Sequence, residues 1–151
     1  MKVIAVIGGR AVNRKFYELA RRAGAEIARQ GCALVCGGLS GVMEAAARGA
    51  KENNGATIGI LPGKSRRDAN EFIDLAVPTG MGVARNVVIV NMADGVIAID
   101  GKEGTLSEIA FTLESGKPIC GIWTYDIPGI IKEKEPEKAV QKIVKLIEAG
   151  E

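Results

Sequence analysis

At 151 residues the chain has the length of one compact domain, and 47% hydrophobic, 25% charged and 4% aromatic residues make a folded globular composition, which excludes a disordered or fibrous chain. A formal net charge of +2 excludes holding a polyanion or a membrane surface by charge alone, so neither nucleic acid nor membrane is an expected partner. Histidine is absent, which removes Ser-His-Asp and Cys-His nucleophiles and the commonest zinc ligand sets.

Met1 to Gly9 is an apolar, β-branched run that stops at a glycine pair, as a buried parallel strand does. Asn13 then caps a helix over Arg14 to Gln30, with Phe16, Leu19, Ala20, Ala23 and Ile27 at helical spacing and Gly31 as a left-handed stop. Ala33 to Gly38 reads as the second strand, Gly41 to Asn54 as an alanine-rich helix, and Ala56 to Leu61 as the third strand. Lys64 to Asp74 is polar and aperiodic, a surface loop, and Leu75 to Pro78 a short strand. Val83 to Met92 follows as a mostly buried helix, Gly95 to Asp100 as a strand, Thr105 to Ser115 as a helix stopped by Gly116, and Pro118 to Trp123 as a strand. Glu135 to Ala149 closes the chain as an amphipathic helix with Pro136 in its first turn and Ala139, Val140, Ile143, Leu146 and Ile147 on one stripe. This alternation implies a single Rossmann-like α/β domain over residues 1–151, an open parallel sheet with helices on both faces.

No run approaches the roughly 18 apolar residues that span a bilayer, and the expected location is the cytoplasm. Cys32 and Cys36 fall four apart on one strand, about 13 Å from each other and too far to bridge. With Cys120 they are expected as reduced core residues.

Twenty of the 151 residues are glycine, nearly twice the ordinary usage of about 7%. They cluster where a doubly wound sheet binds its ligands, at the turns leaving the carboxyl ends of strands. Gly8-Gly9 ends the first strand, Gly37-Gly38-Leu39-Ser40-Gly41 the second, and Asp100-Gly101-Lys102-Glu103-Gly104-Thr105 the strand that begins at Gly95. Free N–H groups of a following helix and close backbone approach make such turns suited to phosphate, so the expected ligand is a phosphorylated small molecule. The expected binding residues are Gly8, Gly9, Gly37, Gly38, Ser40, Gly41, Asp100, Gly101, Lys102, Gly104 and Thr105, with no metal ligands. The dinucleotide fingerprint G-x-G-x-x-G does not occur, and Gly59 to Ser65 has one residue too few between its glycines for a P-loop.

Thr105 and Glu108 have capping-box spacing, in which Thr caps an amide and Glu reaches back to the cap. The same carboxylate could instead turn into a ligand cavity, held as the anion by the helix N-terminus. Arg85 is open to two readings, an exposed helix charge or a phosphate contact.

In this order, Gly37 to Glu44, Thr57 to Pro62, Arg85, Gly104 to Glu108 and Ser115 to Pro118 resemble the Lonely Guy family over roughly residues 1–125. That family comprises Rossmann-like phosphoribohydrolases, often mislabelled as lysine decarboxylases, with the motif P-G-G-x-G-T-x-x-E and an arginine on the preceding helix. The resemblance implies that Glu108 is the catalytic carboxylate and Arg85 the catalytic or phosphate-side arginine. It implies that Gly104 and Thr105 hold phosphate, and that Gly38 and Gly41 line the same pocket. Asp100 stands at the family's proline, Lys102 at its second glycine and Asn86 at the lysine that usually follows the arginine. These departures place the chain nearer a shorter branch that also resembles molybdenum cofactor carrier proteins, which bind a phosphorylated pterin without chemistry. Two functions therefore stand side by side. One is cleavage of the N-glycosidic bond of a nucleoside 5′-monophosphate, with Glu108 acting on an oxocarbenium-like transition state. The other is non-catalytic binding or carriage of a nucleotide or molybdopterin-type ligand, with no further cofactor required. No lysine is marked as a pyridoxal phosphate Schiff base. The apolar face of Val87, Val88 and Val90 exceeds what one sheet contact needs, and the resembled family dimerises through such helices, so a homo-oligomer is expected.

Overall fold

The computed structural model describes Met1–Glu151. In chain order the elements are β1 (Val3–Gly8), α1 (Arg14–Arg29), β2 (Ala33–Cys36), α2 (Val42–Glu52), β3 (Thr57–Leu61), β4 (Leu75–Pro78), α3 (Arg85–Met92), β5 (Gly95–Ile99), α4 (Glu103–Ser115), β6 (Ile119–Ile122), β7 (Ile131–Lys132) and α5 (Pro136–Ala149). All strands pair in parallel in one sheet of order β4-β3-β2-β1-β5-β6-β7. The chain moves outward from β1 on one side, then returns to lay β5 on the other. The crevice between the ends of β1 and β5 is thus the topological switch point, where such sheets take ligands.

Local signals account for most boundaries. The Asn13 side chain accepts from the Phe16 N–H at 3.0 Å, and Gly31 takes the left-handed φ of +75° that stops α1. Pro136 opens α5 where no helical N–H is needed. Four expectations are corrected. A short 3-10 turn over Gly82–Ala84 precedes α3, so the helix starts at Arg85 and Val83 is exposed. The surface loop after β3 carries a 3-10 turn over Arg66–Asp68, with Ser65 Oγ accepting from the Arg67 N–H at 3.2 Å. β7, two residues long and paired with Cys120 and Gly121, was not anticipated, because so short a strand carries no alternation to read. On α5, Val144 rather than Leu146 completes the buried stripe.

Alternating side chains give the sheet two apolar faces. Ile4, Val6, Leu34, Ile97, Ile99, Cys120 and Ile122 pack under α1, α2 and α5. Ala5, Ile7, Val35, Ile60, Val96, Ala98 and Ile119 face the side of α3 and α4. The three cysteines are free and buried, as expected. On the first face α1 and α2 touch through backbone: a Cβ at Gly24 would collide with the Ala46 carbonyl, and one at Gly49 with the Arg21 carbonyl. No helix is long and apolar enough to cross a membrane.

Candidate functional site

A cleft of about 430 Å³ opens at the switch point, on the α3–α4 side of the strand ends. Its rim is backbone: Gly8-Gly9 from β1, Gly37 from β2, and Asp100, Gly101, Lys102 and Gly104 from the turn between β5 and α4. Arg85, Thr105 and Glu108 complete it from α3 and α4, so most of the expected residues converge.

Gly38, Ser40 and Gly41 do not line the cleft and act from behind it. Gly38, at φ +77°, packs against Leu61 and Gly59, where a Cβ would lie 2.7 Å from Leu61 Cδ2. Gly41, at φ +71°, backs onto the Gly9 and Arg10 carbonyls, which leave no room for a side chain. Ser40 Oγ donates to the Arg10 carbonyl at 2.8 Å, and the Val42 N–H donates to the Gly9 carbonyl at 2.9 Å. Together these contacts fix the loop that presents Gly9 and Arg10.

The capping box does not form. α4 begins three residues earlier than a Thr105 cap implies, with Lys102 at the cap position and no side-chain cap. The first intrahelical bond runs from the Leu106 N–H to the Lys102 carbonyl at 2.9 Å, so the N–H groups of Glu103, Gly104 and Thr105 have no helical partner. Uncapped amides at the positive end of a helix dipole, beside a glycine turn, form an anion site. Lys102 itself has φ −126°, an ordinary value, so the lysine in place of the family's glycine strains nothing and adds a cation at the rim. The positive φ values of the turn fall instead on Asp100, at +53°, and Gly101, at +114°.

Glu108 lies in the second turn of α4, is only 7% exposed, and its carboxyl makes no hydrogen bond to the protein. Burial pushes it up to about 8, against the opposing pull of the Arg85 charge. Desolvation opposes the anion expected at the helix N-terminus, and the dipole's influence fades beyond the first turn. Arg85 is buried at 8% exposure, which overturns its reading as an exposed helix charge. Burial lowers its pKa and the Glu108 charge raises it, but a guanidinium stays protonated.

Arg85 is held from several sides. Its Nε donates to the Ile60 carbonyl at 2.8 Å and its Nη1 donates to Asn86 Oδ1. Asn86 Nδ2 donates in turn to Ser107 Oγ at 3.2 Å, and Ser107 Oγ to the Gly104 carbonyl at 2.7 Å. Asn86, in the place of the family's lysine, thereby ties the arginine to the first turn of α4. A Cβ at Gly37 would lie 2.7 Å from Arg85 Nη2 and 2.6 Å from Met43 Sδ, so this glycine makes room for the guanidinium.

Sequence reasoning missed Arg10, Leu39, Met43 and Pro62 as lining residues. Arg10 directly follows the glycine pair that ends β1, and the switch-point rule alone would have pointed to it. With Arg10, Arg85 and Lys102 against Asp100 and a carboxyl whose charged form is disfavoured by burial, the cleft favours an anion. Leu39, Met43, Pro62 and Val83 supply apolar walls.

The model of the SLOG cluster4 family matches residues 1–149. An uncharacterized protein of Archaeoglobus fulgidus is 43% identical over 138 residues, 91% of each chain. Among solved structures, the molybdenum cofactor binding protein of Rippkaea orientalis superposes with a TM-score of 0.91 at 34% identity, covering 97% of both chains. The molybdenum cofactor carrier protein of Chlamydomonas reinhardtii gives 0.87 at 29% identity over 99% of both. With the switch-point cleft, the uncapped α4 and the family match over nearly its whole length, the chain belongs to the SLOG cluster4 family.

Proposed function

We propose that this protein binds and carries a phosphorylated small molecule of the molybdopterin type in the cleft between β1 and β5. What carries this reading is the likeness to a molybdenum cofactor binding protein over 97% of both chains. The residues fit such a cargo. The amides of Gly104 and Thr105 with Arg85 and Lys102 suit a phosphate, and the walls of Leu39, Met43 and Pro62 suit a flat heterocycle.

Glu108 supports binding over hydrolysis. An oxocarbenium-like transition state needs a negative carboxylate beside it, whereas burial pushes this carboxyl up to about 8 and so disfavours its charged form. A neutral carboxyl can donate to a ligand oxygen and accept from a ring nitrogen. As a subunit contact we propose the α3–α4 face, where Met92, Leu106 and Phe111 are exposed while Val90 is fully buried.

The test is to load the purified protein with molybdenum cofactor without oxygen and measure retained molybdenum per chain, alongside a panel of nucleoside 5′-monophosphates assayed for free base. The expected result is molybdenum retention that drops in Arg85→Ala, with no base release. Base release that is lost in Glu108→Gln would replace carriage with phosphoribohydrolase activity.

A further inference from the structure

One strand beyond the cleft, β6 runs out into Trp123, the only tryptophan of the chain. Its backbone has φ +51°, in the left-handed region that glycine occupies at least cost and bulky residues rarely enter. The residue nonetheless stays half exposed, at 51%. Strain kept at an exposed aromatic residue is a mark of use.

The ring is flanked by two ammonium groups, Lys15 Nζ at 4.7 Å and Lys134 Nζ at 5.5 Å from its centroid. Beside it opens a second cleft of about 400 Å³, lined among others by Trp123, Tyr125, Lys132 and Lys134. The acidic groups there are already matched: Asp126 pairs with Lys132 at 2.8 Å, and Glu133 with Lys142 at 3.1 Å. Lys15 and Lys134 have no carboxylate partner within ion-pair distance; Lys134 rests on the indole, and Lys15 lies over the indole and, at 5.8 Å, the Phe16 ring. Thr124 Oγ1 donates to the Asp100 carbonyl at 2.7 Å, so this cleft adjoins the first through the end of β5.

We propose that the Trp123 cleft is a second binding site, for a planar heteroaromatic ring bearing a phosphate, of which a nucleoside 5′-monophosphate is the simplest case. The ring stacks on the exposed indole, a contact any base can make. Lys15 and Lys134 turn from the indole to the phosphate, exchanging an exposed cation–π contact for a charge-assisted hydrogen bond. This site does not depend on what the first cleft holds.

The lone tryptophan makes the test direct: titrate the full-length protein with adenosine 5′-monophosphate and follow indole fluorescence. Saturable quenching is expected, roughly tenfold weaker for adenosine and for the Lys15→Ala/Lys134→Ala double variant, since both remove the charge-assisted contact. Calorimetry on Trp123→Ala, with its fold checked by circular dichroism, should show loss of the same binding. Glu108→Gln changes the first cleft and leaves the quenching in place, which separates failure here from failure of the carrier reading. Absence of saturable quenching by adenosine or guanosine 5′-monophosphate would overturn the proposal, as would quenching equal for adenosine and in the double lysine variant. Quenching by a single-stranded oligonucleotide alone would also overturn it, in favour of a nucleic-acid surface.

Discussion

The two faces of the sheet use the same kinds of residue to different ends. On the α1–α2 face, glycines exist to bring helices together, Asn13 caps α1, and Arg21 and Arg22 are paired with Glu52, Glu135 and Glu137 at the surface. On the α3–α4 face, glycines border an open cleft, α4 starts without a side-chain cap, and Arg85 and Glu108 lie buried beside it. Polar groups matched within the protein stabilise a fold. Polar groups held out of water and left facing a cavity stabilise a ligand instead.

The sharpest way to break this contrast is a methyl group on each face. Gly24→Ala drives a Cβ into the Ala46 carbonyl and forces α1 from α2, at an expected cost of about 3 kcal/mol or more by denaturant unfolding. Gly104→Ala meets nothing within 4 Å.

The next effect is one of pH. Glu108 is raised to about 8 from a usual carboxyl value of 4.5, so between those values the folded state binds the proton that the unfolded chain has released. Its contribution is therefore whole below about pH 4.5 and is lost as pH climbs to about 8, on the order of 3–5 kcal/mol across the window. Glu108→Gln should flatten this decline and be the more stable protein at pH 8.5. Equal pH slopes in the two proteins would show that the carboxyl is not held neutral.

A smaller effect is expected from Arg85→Lys, which keeps the charge and loses the fork that reaches Ile60 and Asn86. Affinity for a phosphorylated ligand should fall about tenfold, close to 1.4 kcal/mol, with little change in Tm. Smallest of all, Gly104→Ala should gain about 0.5–1 kcal/mol in stability from reduced backbone freedom in α4 while weakening ligand binding at the cleft.

Much of this was legible in the sequence, and unevenly. The strand-to-glycine turns of β1 and β5 and the caps of α1 are local signals, readable within a few residues. Arg85 and Glu108 were reached through motif resemblance, and the cleft brings both together. Spacing could not say that Thr105 and Glu108 form no capping box, because that depends on where α4 begins, and Lys102 gives no capping signal. Gly24 and Gly49 carry no signal within their own helices, since the carbonyls they approach belong to another helix. The support that Asn86 and Ser107 give Arg85 crosses from α3 to α4, and spacing within one helix cannot reveal it.

The most direct test of the central claim is a crystal structure of the protein loaded with molybdenum cofactor, with the metal located by its anomalous scattering. The account predicts one peak in the cleft between the ends of β1 and β5, beside Arg85 and Glu108 and on the α3–α4 side. A peak at Trp123, between subunits or elsewhere on the surface would contradict it, as would loaded crystals with no peak in that cleft.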